Sequence, residues 1–141
     1  MDGVFFKEIV KLVVKSESGY WDSSDPWEDR LTITADSFKY DFRPKNDNSE
    51  REPIKWTIKT TETSFAEFFE RAAAEVALIL KSDIEPFAED AGRIVFQVFY
   101  ADGTKEKREF FQSKDEFRMF YEIVRDMLPA CAYDFLSNTR Y

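Results

Sequence analysis

Residues 54–80 read IKWTIKTTETSFAEFFERAAAEVALIL, and within this stretch the hydrophobic period changes once. Ile54, Trp56 and Ile58 alternate with Lys55, Thr57 and Lys59, the period of two that gives a β-strand one apolar and one polar face. From Ser64 onward the apolar positions are Phe65, Phe68, Phe69, Ala72, Val76, Ile79 and Leu80, spaced along one side of a helix. Ser64 with Glu67 three residues later has the form of a capping box, which satisfies free amides of a first helical turn. The spacing predicts a strand over 54–60 and a helix over 64–81. The elements on either side decide the fold class.

Toward the amino terminus, residues 4–15 place Phe6, Val10, Leu12 and Val14 on one alternating set and Lys7, Lys11 and Lys15 on the other, with Glu8 breaking the apolar set. LTITADSFKYDFRP (31–44) repeats the alternation at Leu31 and Ile33, then at Phe38, Tyr40 and Phe42, hinged at Ala35-Asp36-Ser37. Residues 45–52 are a polar loop. Toward the carboxyl terminus, GRIVFQVFYADGTKEKREFF (92–111) reads as two strands joined at Asp102-Gly103, a dipeptide that accepts the positive φ of a tight hairpin. Ser113 and Glu116 form a second capping box before Phe117, Phe120, Tyr121, Val124 and Leu128, and Pro129 should end that helix.

The order strands, helix, strands, helix predicts a two-layer α+β fold: a mainly antiparallel sheet of about five to six strands with two helices on one face. Residues 1–141 are expected to form a single domain, with 129–141 as a tail that packs Tyr133 and Phe135 on the body. Both helices open with S-x-x-E-F. Capping chemistry accounts for that, and the alternative is an ancient duplication, against which the unequal intervening lengths count.

The net charge of −8 is local. From Ser16 to Arg30 (SESGYWDSSDPWEDR) five carboxylates face one arginine, a balance of −4. From Ser82 to Gly92 (SDIEPFAEDAG) four carboxylates stand unopposed, a second −4. The first stretch also carries Tyr20, Trp21 and Trp27, ring types that concentrate binding energy at protein interfaces. Carboxylates around such rings favour a basic partner through steering and specificity. The candidate partner-binding residues are therefore Tyr20, Trp21, Asp22, Asp25, Trp27, Glu28 and Asp29 in the first stretch, and Asp83, Glu85, Glu89 and Asp90 in the second. For Trp21 and Trp27 the competing reading is that the ring folds back over the sheet. Lys105, Lys107 and Arg108 form a small basic rim, but Glu106 and Glu109 alternate with them, as on a solvated face with cross-strand pairs.

Composition closes most catalytic routes. The chain has no histidine, which removes the commonest general base, the commonest neutral metal ligand and the Ser-His and Cys-His nucleophile pairs. Cys131 is the single cysteine and has no sequence neighbour that would activate it, and the four glycines are scattered, so no glycine-rich phosphate cradle is possible. Carboxylate chemistry stays open in principle, but Pro86-Phe87 interrupts the second acidic run and no spacing resembles a calcium loop.

The expectation is thus no catalytic residues, no cofactor and no metal. A lone cysteine fits a cytoplasmic address. The amino-terminal run, broken by Lys7, Glu8 and Lys11, is neither a signal-peptide core nor a membrane span. The acidic balance argues against direct nucleic-acid binding. What the sequence favours is a small interaction or regulatory module that offers acidic, aromatic-bearing loops to a basic protein surface. One form of it is an inhibitor that mimics nucleic-acid charge in front of a nucleic-acid-binding protein. The alternatives are a small-molecule binder or carboxylate enzyme with a pocket between sheet and helices, and a subunit that pairs through an uncovered sheet face. Monomer and homodimer are both open.

Overall fold

A computed structural model of the chain describes residues 8–18, 26–46, 48–84, 92–111 and 117–127. Along these residues the elements are β1 (Ile9–Glu17), β2 (Trp27–Thr34), β3 (Ser37–Pro44), β4 (Ile54–Lys59), α1 (Thr63–Leu80), β5 (Arg93–Tyr100), β6 (Lys105–Phe110) and α2 (Arg118–Asp126). The strands form one sheet in the order β4-β3-β2-β1-β5-β6, antiparallel at every junction. From β1 the chain meanders outward to β4, returns through α1, and adds β5 and then β6 on the free side of β1. This is the expected α+β architecture in the expected order.

Alternation divides the sheet. Leu12 pairs with Ile33 and Val98, and Val14 with Leu31 and Phe96, so these rows share one face. The pairs Phe38 with Ile58, Tyr40 with Trp56 and Phe42 with Ile54 extend that face to the β4 edge. Phe65, Phe69, Ala72, Val76 and Ile79 of α1 and Phe120, Ile123 and Val124 of α2 close over it in a single core. Rings make up much of that core. Phe96 meets Phe117, Phe110 and Phe120 edge-on at centroid distances of 4.9, 6.2 and 5.5 Å, while Trp56 stacks on Phe38 at 5.4 Å. Such pairs add roughly 0.5–1.5 kcal/mol each beyond their buried area.

Several boundaries differ from the sequence reading, each for a local reason. The β1/β5 register shifts between Ile9 and Lys11, so Val10 is an inserted residue and stands 40% exposed instead of joining Leu12 and Val14. A bulge of one residue reverses the facing of everything before it. β1 continues through Glu17 and β2 begins at Trp27, because Ser16 pairs with Asp29 and Glu17 with Glu28; both ends of the first acidic stretch are strand, not loop. The capping box at Ser64 is not formed. Glu62, in extended conformation, is the N-cap without a side-chain cap bond, and its carbonyl accepts from the amides of Phe65 and Ala66 at 3.1 and 3.4 Å. With the helix starting at Thr63, Ser64 lies inside the first turn, where its hydroxyl cannot serve as a cap. Phe68 is only half-buried, whereas Phe65 and Phe69 are fully in the core. Ser113, Glu116, Leu128, Pro129 and the tail with Tyr133 and Phe135 lie outside the described residues.

Candidate functional site

Two connections carry the acidic stretches, and both ends of the first meet the return of the second at one end of the sheet. Glu17, the last residue of β1, lies opposite both Glu28 of β2 and Arg93, the first residue of β5. The first stretch therefore leaves from Glu17 and returns at Trp27, and the second returns at Arg93, one strand spacing away. The neck of the first is closed by three bonds: the Ser18 amide donates to the Trp27 carbonyl at 3.0 Å, the Trp27 amide to Ser18 Oγ at 3.0 Å, and the Lys45 amide to the Pro26 carbonyl at 2.8 Å.

A charge network ties the two necks together. Arg93 donates to Glu17 at 2.9 Å and to Glu109 at 2.8 Å, and Lys45 donates to the other oxygen of Glu17 at 3.1 Å. Glu109 is held below the usual carboxylate range by the Arg93 hydrogen bond, and Arg93 is raised by its bond to Glu109. The like-charged pair Glu17 and Glu28 is flanked by Arg93 on one side and Arg43 on the other, a neutral row.

The second stretch starts on the helix side, and Arg108 fixes its start. From β6 the guanidinium donates to the carbonyls of Ile79, Leu80, Ser82 and Ile84 at 3.4, 3.3, 2.5 and 3.2 Å. It also lies 4.7 Å over the Phe110 ring. The last carbonyls of a helix have no partners within it and concentrate negative charge. α1 has no basic residue in its last turn, so Arg108 supplies that cation from another element. The sequence reading placed Arg108 with Lys105 and Lys107 on a basic rim. Strand alternation instead turns Arg108 inward with Phe110 and leaves Lys105 and Lys107 on the opposite face. Only the fold brings residues 79–84 to Arg108, so no local sequence signal could reveal this role.

The candidate residues separate accordingly. Trp27 is buried, 6.1 Å from Phe42 between centroids, so of its two readings the inward one holds. Asp29 is buried on the covered face and accepts from the Tyr40 hydroxyl at 3.1 Å. Asp29 pairs with Phe42 and Ser16, and Trp27, two residues before it on β2, shares that face, so both turn toward the helices. Glu28 is half-exposed on the other face, and Asp83 is exposed beside the Arg108 anchor. Tyr20, Trp21, Asp22, Asp25, Glu85, Glu89 and Asp90 lie outside the described residues.

The face away from the helices is charged. In the row next to the neutral one, Lys55, Arg30 and Lys15 stand against Asp41 and Glu109; the next carries Lys39 and Lys107, and the last Lys59, Lys11 and Lys105. With the two arginines of the neutral row, ten cations oppose four carboxylates across the face, a net of +6 on a chain of −8. This charged face differs from the flat apolar one expected of a self-pairing subunit.

A hollow of about 330 Å³ lies between α1 and the start of β1, lined by Ile9, Val10, Ala66, Phe69, Ala73 and Ala77 together with Glu8 and Glu70. Its lining is mostly alkyl, with Glu8 and Glu70 as the charged members. Among the described residues, no three carboxylate or thiol side chains gather closely enough to hold a metal ion. No helix among them is long and apolar enough to cross a membrane. No protein-family model matches the chain, and comparison with curated proteins finds no match.

Proposed function

We propose that this chain is a small, non-enzymatic cytoplasmic interaction module that offers its two acidic connections, side by side, to a basic surface on another protein. One observation carries the reading: Glu17 is the immediate neighbour of both Glu28 and Arg93, so the strand ends that carry the first stretch adjoin the strand end at which the second, more than fifty residues away in sequence, returns. Asp22 and Asp25 of the first stretch and Asp83, Glu85, Glu89 and Asp90 of the second, outside the pairings that neutralise Glu17 and Glu28, supply the charge that steers a basic partner and fixes its register. The bonded necks and the Arg108 anchor support this by lowering the ordering cost that binding imposes. In its specific form the partner is a nucleic-acid-binding protein whose phosphate groove the carboxylates occupy.

The test is a partner captured at low ionic strength and measured against variants. Neutralising Asp22, Asp25, Glu85, Glu89 and Asp90 to Asn or Gln should slow association and flatten the salt dependence. Trp21→Ala should raise the off-rate and cost about 2 kcal/mol or more of affinity, as a central interface ring does. Trp27→Ala belongs to another class: its ring is core, so the loss should appear as about 3–5 kcal/mol of stability. Salt-independent binding that survives neutralisation would place the protein interface elsewhere.

A further inference from the structure

We propose that the open face of the sheet binds single-stranded nucleic acid, its lysines taking phosphates and Phe99 stacking a base. The inference rests on how strand alternation sorts charge, not on the acidic connections. In the two rows farthest from the acidic end, the strand residues include Lys39, Lys107, Lys59, Lys11 and Lys105 and no carboxylate. The nearest acids on this face are Asp41 and Glu109 in the adjoining row, two strand residues from Lys39 and Lys107 and offset there by Lys55, Arg30 and Lys15; in the turns, Asp36 accepts from the Thr34 hydroxyl and Asp102 from the Thr104 hydroxyl. Lys11 and Glu17 stand six positions apart along β1, about 20 Å at the usual rise per residue. Screening acts over about 8 Å at physiological salt, so a phosphate on these rows senses the lysines and little of the acidic end. The whole-chain charge that argued against nucleic acid therefore does not describe this surface.

Ring and spacing select the class of polyanion. Phe99 is half-buried on the open face, with Lys11 Nζ 4.3 Å and Lys105 Nζ 6.0 Å from its centroid. An aromatic platform flanked by ammonium groups suits a stacked base whose own phosphate lies beside a cation. Successive same-face residues of a strand are about 7 Å apart, the scale of one nucleotide step in an unstacked backbone. Thr32 and Gln97, between Lys39 and Lys107 in their row, offer neutral donors and acceptors suited to base edges. A broad sheet face does not enter a duplex groove, which admits a helix or a two-stranded ribbon. An acidic peptide could pair with the lysines but has no use for the ring.

The experiment is fluorescence anisotropy with a labelled oligouridylate of about ten nucleotides, titrated across salt. The wild-type chain should bind at low ionic strength, with log affinity falling by about 0.7 per decade of salt for each phosphate contact. The triple variant Lys39→Gln, Lys59→Gln, Lys107→Gln changes exposed positions only; it should bind at least tenfold more weakly and with a shallower salt slope. Phe99→Ala should weaken binding about five- to a hundredfold with the slope unchanged, and Phe99→Tyr should retain it. The triple and tyrosine variants decide the matter if the alanine variant is poorly folded by circular dichroism. Asp22→Asn with Asp25→Asn should leave oligonucleotide affinity equal or tighter, which separates this result from the protein-binding reading. No binding at low salt, or binding that the triple variant leaves intact, overturns the proposal. So does capture by anionic vesicles without capture of the oligonucleotide, polyglutamate competing as well as RNA, or a duplex of equal length binding as tightly.

Discussion

Asp29 and Tyr40 show how a single alternation step changes what a residue does. In sequence Asp29 is one of five carboxylates in an acidic run; in the fold it is 6% exposed, opposite Ser16 and bonded to a tyrosine that is wholly buried. Removing the tyrosine hydroxyl withdraws a donor from a buried carboxylate, which costs the desolvation of that group and not merely one bond. Tyr40→Phe should therefore lower stability by about 1–3 kcal/mol in denaturant unfolding, while Thr32→Val, on the solvent side of the adjacent strand, should change it by under about 0.5. Equal effects would mean that Asp29 is satisfied without Tyr40.

At the scale of elements, the seating of α1 depends on phase and on its carboxyl end. Phe69 is 4% exposed and Phe68 half-buried. Phe69→Ala should thus cost about 3–5 kcal/mol, and Phe68→Ala less than half of that. Arg108 holds four carbonyls from Ile79 to Ile84 and so joins helix, sheet edge and the start of the second acidic connection. Arg108→Ala should cost about 2 kcal/mol, and Arg108→Lys most of that, because an ammonium cannot span the fork of carbonyls that a guanidinium reaches. Hydrogen exchange at Ser82 and Ile84 is the sharper readout, since their amides should lose protection before those of the helix interior. Exchange that stays uniform in Arg108→Ala would show that the segment is held by something else.

For the whole molecule, pH separates the stabilising charges. Without histidine, stability should be nearly flat between about pH 6 and 8. Glu109 sits below its usual range through Arg93, so its contribution is complete above the ordinary glutamate value and is lost as pH falls through the lowered one. With both side chains 40% exposed, that pair is worth only a few tenths of a kcal/mol and should fade with salt. Tyr100 behaves oppositely. Burial and a hydrogen bond to Glu106 push its hydroxyl up to about 12, so its contribution is present below about pH 10 and disappears between there and 12. Unfolding midpoints measured from pH 9 to 12 should fall for the wild type and less steeply for Tyr100→Phe; identical curves would assign the alkaline loss to other groups.

The sequence by itself determined the type of most elements and the greater part of the core. A period of two at Leu31 and Ile33 or at Phe38, Tyr40 and Phe42, and the helical spacing from Phe65 to Ile79, are properties of backbone geometry that no distant contact needs to set. The Asp102-Gly103 turn was legible for the same reason, and Gly103 takes a φ of 88°. Tertiary structure decided the rest. The bulge at Val10, the strand that continues to Glu17 and the inward turn of Trp27 follow from pairing partners far along the chain, which a local pattern does not contain. The candidate site divided in the same way. The acidic stretches were visible as composition, but their common exit beside Glu17, the Arg108 anchor and the lysine-lined face arise only when alternating strands are laid side by side, because register, not sequence distance, sets which charges become neighbours.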